Sequence, residues 1–252
     1  MSIGTQPRIK ARWSPVGRTH KHQDYYWVRE ASCDYSDYWG VVVDPDGRER
    51  DRLSESERLV YLENVADELA AVKAMTPGNI LDVGCGPGWF LEAVGSAWKR
   101  LGLEASVQAV VEMEKRGITN ACDLGHVKDE WADVVMFYHV IEHIADPVDA
   151  IGEIRRILKP GGWLILGTPD FDSPCAQRFG DNYRMLHDPT HCSLFTLESM
   201  HRFLRDHALH IYDVRFPFPA RYATAENFAR WNDTSKVSPA WPGNWMTFYC
   251  QR

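Results

Sequence analysis

Eleven residues, ILDVGCGPGWF from Ile80 to Phe90, constrain this chain more than any others. Four letters of buried-strand type lead into a turn with glycine at 84, 86 and 88, and an apolar run follows. Glycine supplies positive φ or lets a backbone or ligand approach unusually closely. A bare turn between a strand and a helix therefore predicts a cofactor pocket. Around it, strand and helix patterns alternate. Strands are expected at Ile80–Val83, Leu101–Leu103, Ile118–Ala121, Asp133–Tyr138 and Trp163–Gly167, the last entered through a KPGG turn at 159–162. Helices are expected at Phe90–Lys99, Ser106–Lys115, Pro147–Leu158 and Thr196–Asp206. An earlier helix starts at Ser54: Ser54 and Glu57 have capping-box spacing, Leu59, Leu62, Val65, Ala66 and Leu69 recur at helical intervals, and Thr76-Pro77-Gly78 ends it. Two late strands fall near Ile211–Phe216 and Trp245–Cys250. Such alternation predicts an α/β fold with a parallel sheet covered on both faces.

The turn discriminates among ligands. A P-loop needs G-x-x-x-x-G-K-[ST], which is absent. A dinucleotide fingerprint needs G-x-G-x-x-G, and Trp89 stands where its third glycine belongs. Asp82 precedes the turn, and a carboxylate suits a cation better than a pyrophosphate. A ligand with an ammonium and a sulfonium, S-adenosylmethionine, meets that condition.

The run D-V-G-C-G-P-G is similar to motif I of class I S-adenosylmethionine-dependent methyltransferases. LGLEAS at 101–106 resembles the end of that family's second strand, ADVVMFYHVIEHIADP its fourth-strand segment, and ILKPGGWLILGTPD the helix-to-strand segment that follows. HDPTHCSLFTLESMHRFL at 187–204 resembles a segment of the ubiquinone-biosynthesis-like and sugar or natural-product small-molecule O-methyltransferases. The resemblance implies a Rossmann-like, doubly wound, mostly parallel seven-stranded sheet with an antiparallel last strand. It also implies residues for the cofactor: Asp82, Gly84, Cys85, Gly86 and Gly88 in the turn, Glu104 and Ala105 at the ribose, and Asp123 and Leu124 at the adenine. Tyr138 and His139 would stand near the methyl group. Many relatives carry a cysteine-paired zinc ribbon at the N-terminus, whereas this chain has only Cys33 there.

Histidine titrates near neutrality and is the natural general base for a hydroxyl acceptor. His139, His187 and His191 are the catalytic candidates, with His143 in a more structural position. No metal is expected. The alternative, His139, Glu142 and His143 with His187 and His191, would suit zinc or another transition metal better than magnesium. Trp89, Phe90, Tyr138 and Phe171 are expected near the crevice, with Asp170 and Asp172 as possible contacts to a polyol.

Residues 1–52 are expected to cap a main domain at 53–252, with acceptor-side insertions at about 171–195 and 217–244. Within the cap, YYWV and WGVVV suggest a hairpin, and DPDG at 44–47 a turn. The formal charge of −7 argues against a nucleic-acid partner. No apolar run reaches the ~20 residues that span a bilayer. The six cysteines, Cys33, Cys85, Cys122, Cys175, Cys192 and Cys250, form no C-x-x-C pair and suit a reducing compartment. The N-terminal run is basic but lacks the apolar stretch of a secretory signal. The reading is a cytoplasmic enzyme that methylates an oxygen of a small molecule; the alternatives are an RNA methyltransferase, a non-catalytic binding module and a nicotinamide-dependent dehydrogenase on the same sheet architecture.

Overall fold

The computed structural model describes residues 21–22, 25–29, 38–44, 47 and 49–252; Trp13, Cys33 and Tyr35 lie outside them. A seven-stranded sheet is formed by β1 (Asn79–Val83), β2 (Lys99–Leu103), β3 (Thr119–Asn120), β4 (Ala132–Tyr138), β5 (Leu158–Pro169), β6 (His210–Arg215) and β7 (Trp245–Gln251). Its order is β6-β7-β5-β4-β1-β2-β3, and β7 runs antiparallel to both neighbours. Strands β3, β2, β1, β4 and β5 are mutually parallel. The helices are α1 (Glu55–Asn64), α2 (Ala66–Lys73), α3 (Trp89–Val94), α4 (Val107–Lys115), α5 (Pro147–Ile157), α6 (Pro174–Phe179), α7 (Leu197–Asp206) and α8 (Ala225–Trp231).

A sheet covered on both sides needs apolar side chains in both phases of its strands. In β4, Val135 and Phe137 join the core formed with α5 and α7, while Val134 and Met136 join the core formed with α2, α3 and α4. Neighbouring strands end in register: Val83 pairs with Leu103 on one side and Phe137 on the other, and Tyr138 pairs with Gly167. The carboxyl ends of β1, β2, β4 and β5 thus open on one crevice, where the chain order reverses between β1 and β4. Ligands bind at such a point in open α/β sheets.

The structure differs from expectation in four places. The first helix breaks at Val65, which caps α1 and opens α2, and the buried positions are Val65, Glu68 and Val72, with Leu59 exposed. Helix α3 stops at Val94 because Gly95 adopts φ +99°, and the chain from Lys99 already pairs with β1. KPGG lies inside β5 as a bulge: Leu158 pairs with Ala132, and the next partner pair is Trp163 with Val134. The YYWV hairpin is replaced by a sheet in which Trp27–Val28 lies between Lys21–His22 and Ser193–Leu194; Val41–Val43 pairs with Glu49–Asp51.

One buried cation joins the N-terminal segment to the loop before Ser193. Arg29 Nε donates to the His191 carbonyl at 2.8 Å, Nη1 to that of Leu186 at 2.7 Å, and Nη2 to that of Asp188. Removing the guanidinium strands three carbonyls, and hydrogen bonds to charged groups contribute about 1.5–3 kcal/mol each. Arg29→Met is expected to cost about 3 kcal/mol or more in urea unfolding; a loss below about 1 kcal/mol contradicts this clamp.

Candidate active site

A cavity of about 1410 Å³ opens at the carboxyl ends of β1, β2, β4 and β5. One half is built by the glycine turn. Gly84 has φ +70° and donates its N–H to the Leu103 carbonyl at 2.7 Å, and a Cβ there would meet Val140 Cγ2 at 2.4 Å. Gly86 has φ +54° and donates to Glu104 Oε2 at 2.9 Å. Glu104 Oε1 accepts from the Ser106 N–H at 2.8 Å, and Asn120 bonds both the N–H and the carbonyl of Glu104. The carboxylate is therefore aimed from two sides. A carboxylate offers about four lone-pair sites, so two remain to accept vicinal ribose hydroxyls. Ala105, Asp123 and Leu124 line the same end. The Asp123 carboxylate accepts from the His126 N–H at 3.0 Å and lies 2.8 Å from its ring Nδ1.

The other turn residues face inward. A Cβ on Gly88 would meet Ile118 and Met113, and Cys85 packs against Met113 with sulfurs 3.2 Å apart. Asp82 is buried beneath the turn and does not line the cavity. Its Oδ2 has no hydrogen-bond partner, and burial, then the Glu104 charge, raises its pKa well above the usual carboxylate range.

The N-terminal segment roofs this half. The Trp39 ring lies over Gly86, where a Cβ would come within 2.3 Å of Cζ2, and meets Trp89 edge-on. Tyr38 lies beside it under the Arg52 guanidinium, 4.1 Å from the ring centre, and burial pushes its phenol up to about 12. Sequence reasoning missed Tyr38, Trp39 and Arg52 as wall residues; their only signal was the aromatic density of the segment.

Across the cavity, His139 terminates β4 with φ +55°, a conformation that non-glycine residues rarely adopt and that concentrates at functional sites. Its N–H donates to the Gly167 carbonyl at 2.8 Å. Its Nδ1 lies 3.0 Å from Glu142 Oε1, and Glu142 Oε2 accepts from Thr168 Oγ1 at 3.0 Å. Although burial opposes the charge of Glu142, the bonded His139 and nearby His143 and His191 bring its pKa down to about 2. A carboxylate only accepts, so the His139 proton resides on Nδ1 and Nε2 is left basic. Glu142, which the motif reading named only within the metal alternative, is the buried partner of His139.

His191 is buried, with Nδ1 2.7 Å from the Met185 carbonyl; His143 lies against it, ring centres 4.8 Å apart. His187 lines the cavity with Nε2 3.1 Å from the Asp181 carbonyl. Trp89 and Tyr138 line the cavity, whereas Phe90 and Phe171 are core residues. Asp170 is buried and accepts from the N–H groups of Asp172 and Leu197, and Asp172 accepts from Gln177; neither lines the cavity.

A sheet of this order with its crevice over a glycine turn defines a class I, Rossmann-like methyltransferase fold. The family model described as "Methyltransferase domain" matches residues 55–213. The chain belongs to that family, and S-adenosylmethionine is its cofactor. It is 36% identical over 118 residues to an uncharacterized 37.1 kDa protein in a transposon of Streptomyces fradiae, covering 42% of this chain and 34% of that one. It is 30% identical over 101 residues to a ubiquinone biosynthesis O-methyltransferase of Thiobacillus denitrificans, covering 36% and 44%. The match therefore spans less than half the length of either relative. Among solved structures, a Thermotoga maritima methyltransferase, described as a possible histamine N-methyltransferase, superposes with TM-score 0.56 and 23% identity over 79% of this chain and 96% of that one. Among the described residues, no helix is long and apolar enough to cross a membrane.

The residues present fit the cofactor: Gly84, at φ +70°, leaves its part of the turn open on the cavity, and the Glu104 carboxylate, aimed by two N–H groups, lines the same cavity. Glu104→Ala is expected to weaken S-adenosylmethionine binding about 100-fold in calorimetry, the loss of two hydrogen bonds to a charged group. Gly86→Ala, crowding Trp39, is expected to abolish it. Wild-type affinity in both variants contradicts the pocket.

Burial raises Asp170 to about 6. Its unfolded form ionises near 4, so the native state holds the extra proton and stability falls as pH rises from about 4 to about 6. Asp170→Asn removes this loss. Its stability relative to wild type is expected to improve by about 2–3 kcal/mol between pH 4 and pH 7; parallel pH profiles contradict the assignment.

Proposed function

We propose that the enzyme transfers a methyl group from S-adenosylmethionine to an oxygen of a small-molecule acceptor, with His139 as general base. The observation that carries this is the His139–Glu142 pair: a buried carboxylate bonds Nδ1 of a cavity-lining imidazole and so leaves the lone pair on Nε2. Glu104 would hold the ribose, Asp123 and Leu124 the adenine edge, and the bare turn the body of the nucleoside. Bound there, S-adenosylmethionine would supply an electrophilic methyl carbon, with its sulfur as the leaving group that keeps the bonding pair. His139 Nε2 takes the hydroxyl proton, and Glu142 stabilises the imidazolium that results. Alignment in the closed crevice supplies the larger share of the rate, since well-oriented intramolecular reactions gain about 7–11 kcal/mol.

The acceptor side is built from segments outside the central alternation. His187 and His191 come from the 171–195 insertion, and Tyr222 and Ala240 from the 217–244 insertion. A cavity of this size accommodates a nucleoside and a second small molecule together. The net charge of −7 favours such an acceptor over RNA. The cysteine usage favours a reducing, cytoplasmic setting.

The test is transfer of labelled methyl to a panel of phenols, sugars, amines and RNA. Oxygen acceptors are expected to be labelled, and labelling of RNA alone overturns the reading. With the acceptor in hand, His139→Ala is expected to lower turnover about 10²–10⁴-fold with cofactor affinity within about twofold. Unchanged turnover removes His139 as the base.

A further inference from the structure

We propose that Glu142, His143 and His191 bind one divalent transition-metal ion at the acceptor end of the cavity. The sequence reading expects no metal; the folded chain brings these three together, with Asp188 Oδ2 beside them at 3.8 Å from His191 Nε2. One ligand atom from each lies within 4.8 Å of the other two. Metal–nitrogen and metal–oxygen bonds of about 2.0–2.2 Å bridge such a triangle with small side-chain rotations. His187 turns away to the Asp181 carbonyl, and His139 contacts the cluster only through its bond to Glu142.

The surroundings are those of a built site. Histidines that ligate metals usually donate their other ring N–H to a carbonyl or carboxylate, which fixes the tautomer. His191 Nδ1 lies 2.7 Å from the Met185 carbonyl, so its Nε2 carries the lone pair. His143 Nδ1 lies 2.9 Å from Thr190 Oγ1 and 3.3 Å from the Thr190 carbonyl. The Thr190 hydroxyl in turn donates to Asp188. Glu142 is fully buried and accepts one bond on each oxygen, which leaves a lone pair on each for an ion. The two halves of the cluster are fastened together: Cys192 N–H donates to the Glu142 carbonyl at 2.7 Å, Ser193 Oγ to that of Ile144 at 2.6 Å, and Arg29 grips the His191 carbonyl.

Two imidazoles and one carboxylate select zinc, cobalt or ferrous iron over magnesium. Three protein ligands leave coordination positions open, the arrangement of catalytic rather than structural sites. All three residues line the cavity, so an open position faces the acceptor. An acceptor hydroxyl bound there would lose its proton more readily, by the Lewis-acid effect that lowers the pKa of bound water. This last step rests on the methyl-transfer reading; ion binding does not, and its test uses neither cofactor nor acceptor.

The experiment is calorimetric titration of chelator-treated, full-length protein with Zn²⁺, with Co²⁺ absorption in the visible as a second readout. One equivalent is expected to bind, with cobalt bands of an imidazole-containing site. His143→Asn and His191→Asn are each expected to weaken Zn²⁺ binding about 100-fold or more, since even the loss of an outer partner costs roughly 10–100-fold. His201→Asn, on the surface, is expected to match wild type. If either ligand variant fails to fold, the cobalt spectrum of the unaltered protein decides. No saturable binding, a spectrum without imidazole character, tighter binding of Mg²⁺ than of Zn²⁺, or undiminished affinity in both folded variants overturns the proposal.

Discussion

A buried negative charge organises one end of the cavity. Glu142 is withdrawn from water, which costs several kcal/mol for an isolated ion, and it stays ionised because its surroundings compensate. His139 at the end of β4, Thr168 at the end of β5, His143 in the turn that follows His139 and His191 in the 186–193 loop all lie close to it. Its own carbonyl receives the Cys192 N–H, which ties the 186–193 loop to the sheet. The carboxylate thus fixes one imidazole tautomer and joins three chain segments that lie far apart in sequence.

The opposite end depends on a second acid placed differently. Glu104 is half exposed at the tip of β2, and the N–H groups of Gly86 and Ser106 aim it into the cavity. Turn and acid hold each other: the glycine conformation presents the N–H, and the carboxylate rigidifies the turn. The aromatic roof of Tyr38 and Trp39 then covers both, held by Arg52 stacked on Tyr38 and bonded to its carbonyl. The Glu142 end and the Glu104 end are two halves of one cavity, roofed by a segment outside the sheet.

What could be read from the sequence was whatever local pattern dictates. Buried strands announce themselves as apolar runs, and the DVGCGPG turn reads as a strand-to-helix junction, so sheet type, strand positions and the place of Glu104 on the cavity wall were legible. Within the turn, the pattern did not tell which glycines face a ligand and which face the core. Gly84 lines the cavity, Gly86 lies buried under Trp39 and Gly88 packs on Ile118 and Met113, and only the fold distinguishes them. Helix α3 was overextended because Gly95 and the edge pairing of β2 outweigh the helix propensity of the run that follows. Partnership across sequence was the least visible. Trp27–Val28 pairs with Ser193–Leu194 from the far half of the chain, and the Glu142–His143–His191 grouping spans almost fifty residues.

The central claim is that the glycine turn and Glu104 cradle the nucleoside while His139 faces the transferable methyl. The measurement that tests it most directly is a crystal structure of the protein with S-adenosylhomocysteine. The account predicts both ribose hydroxyls on the Glu104 carboxylate, the ligand backbone over Gly84 and Gly86, and the sulfur directed towards His139 Nε2. A nucleoside bound elsewhere, or one whose sulfur points away from His139, contradicts it.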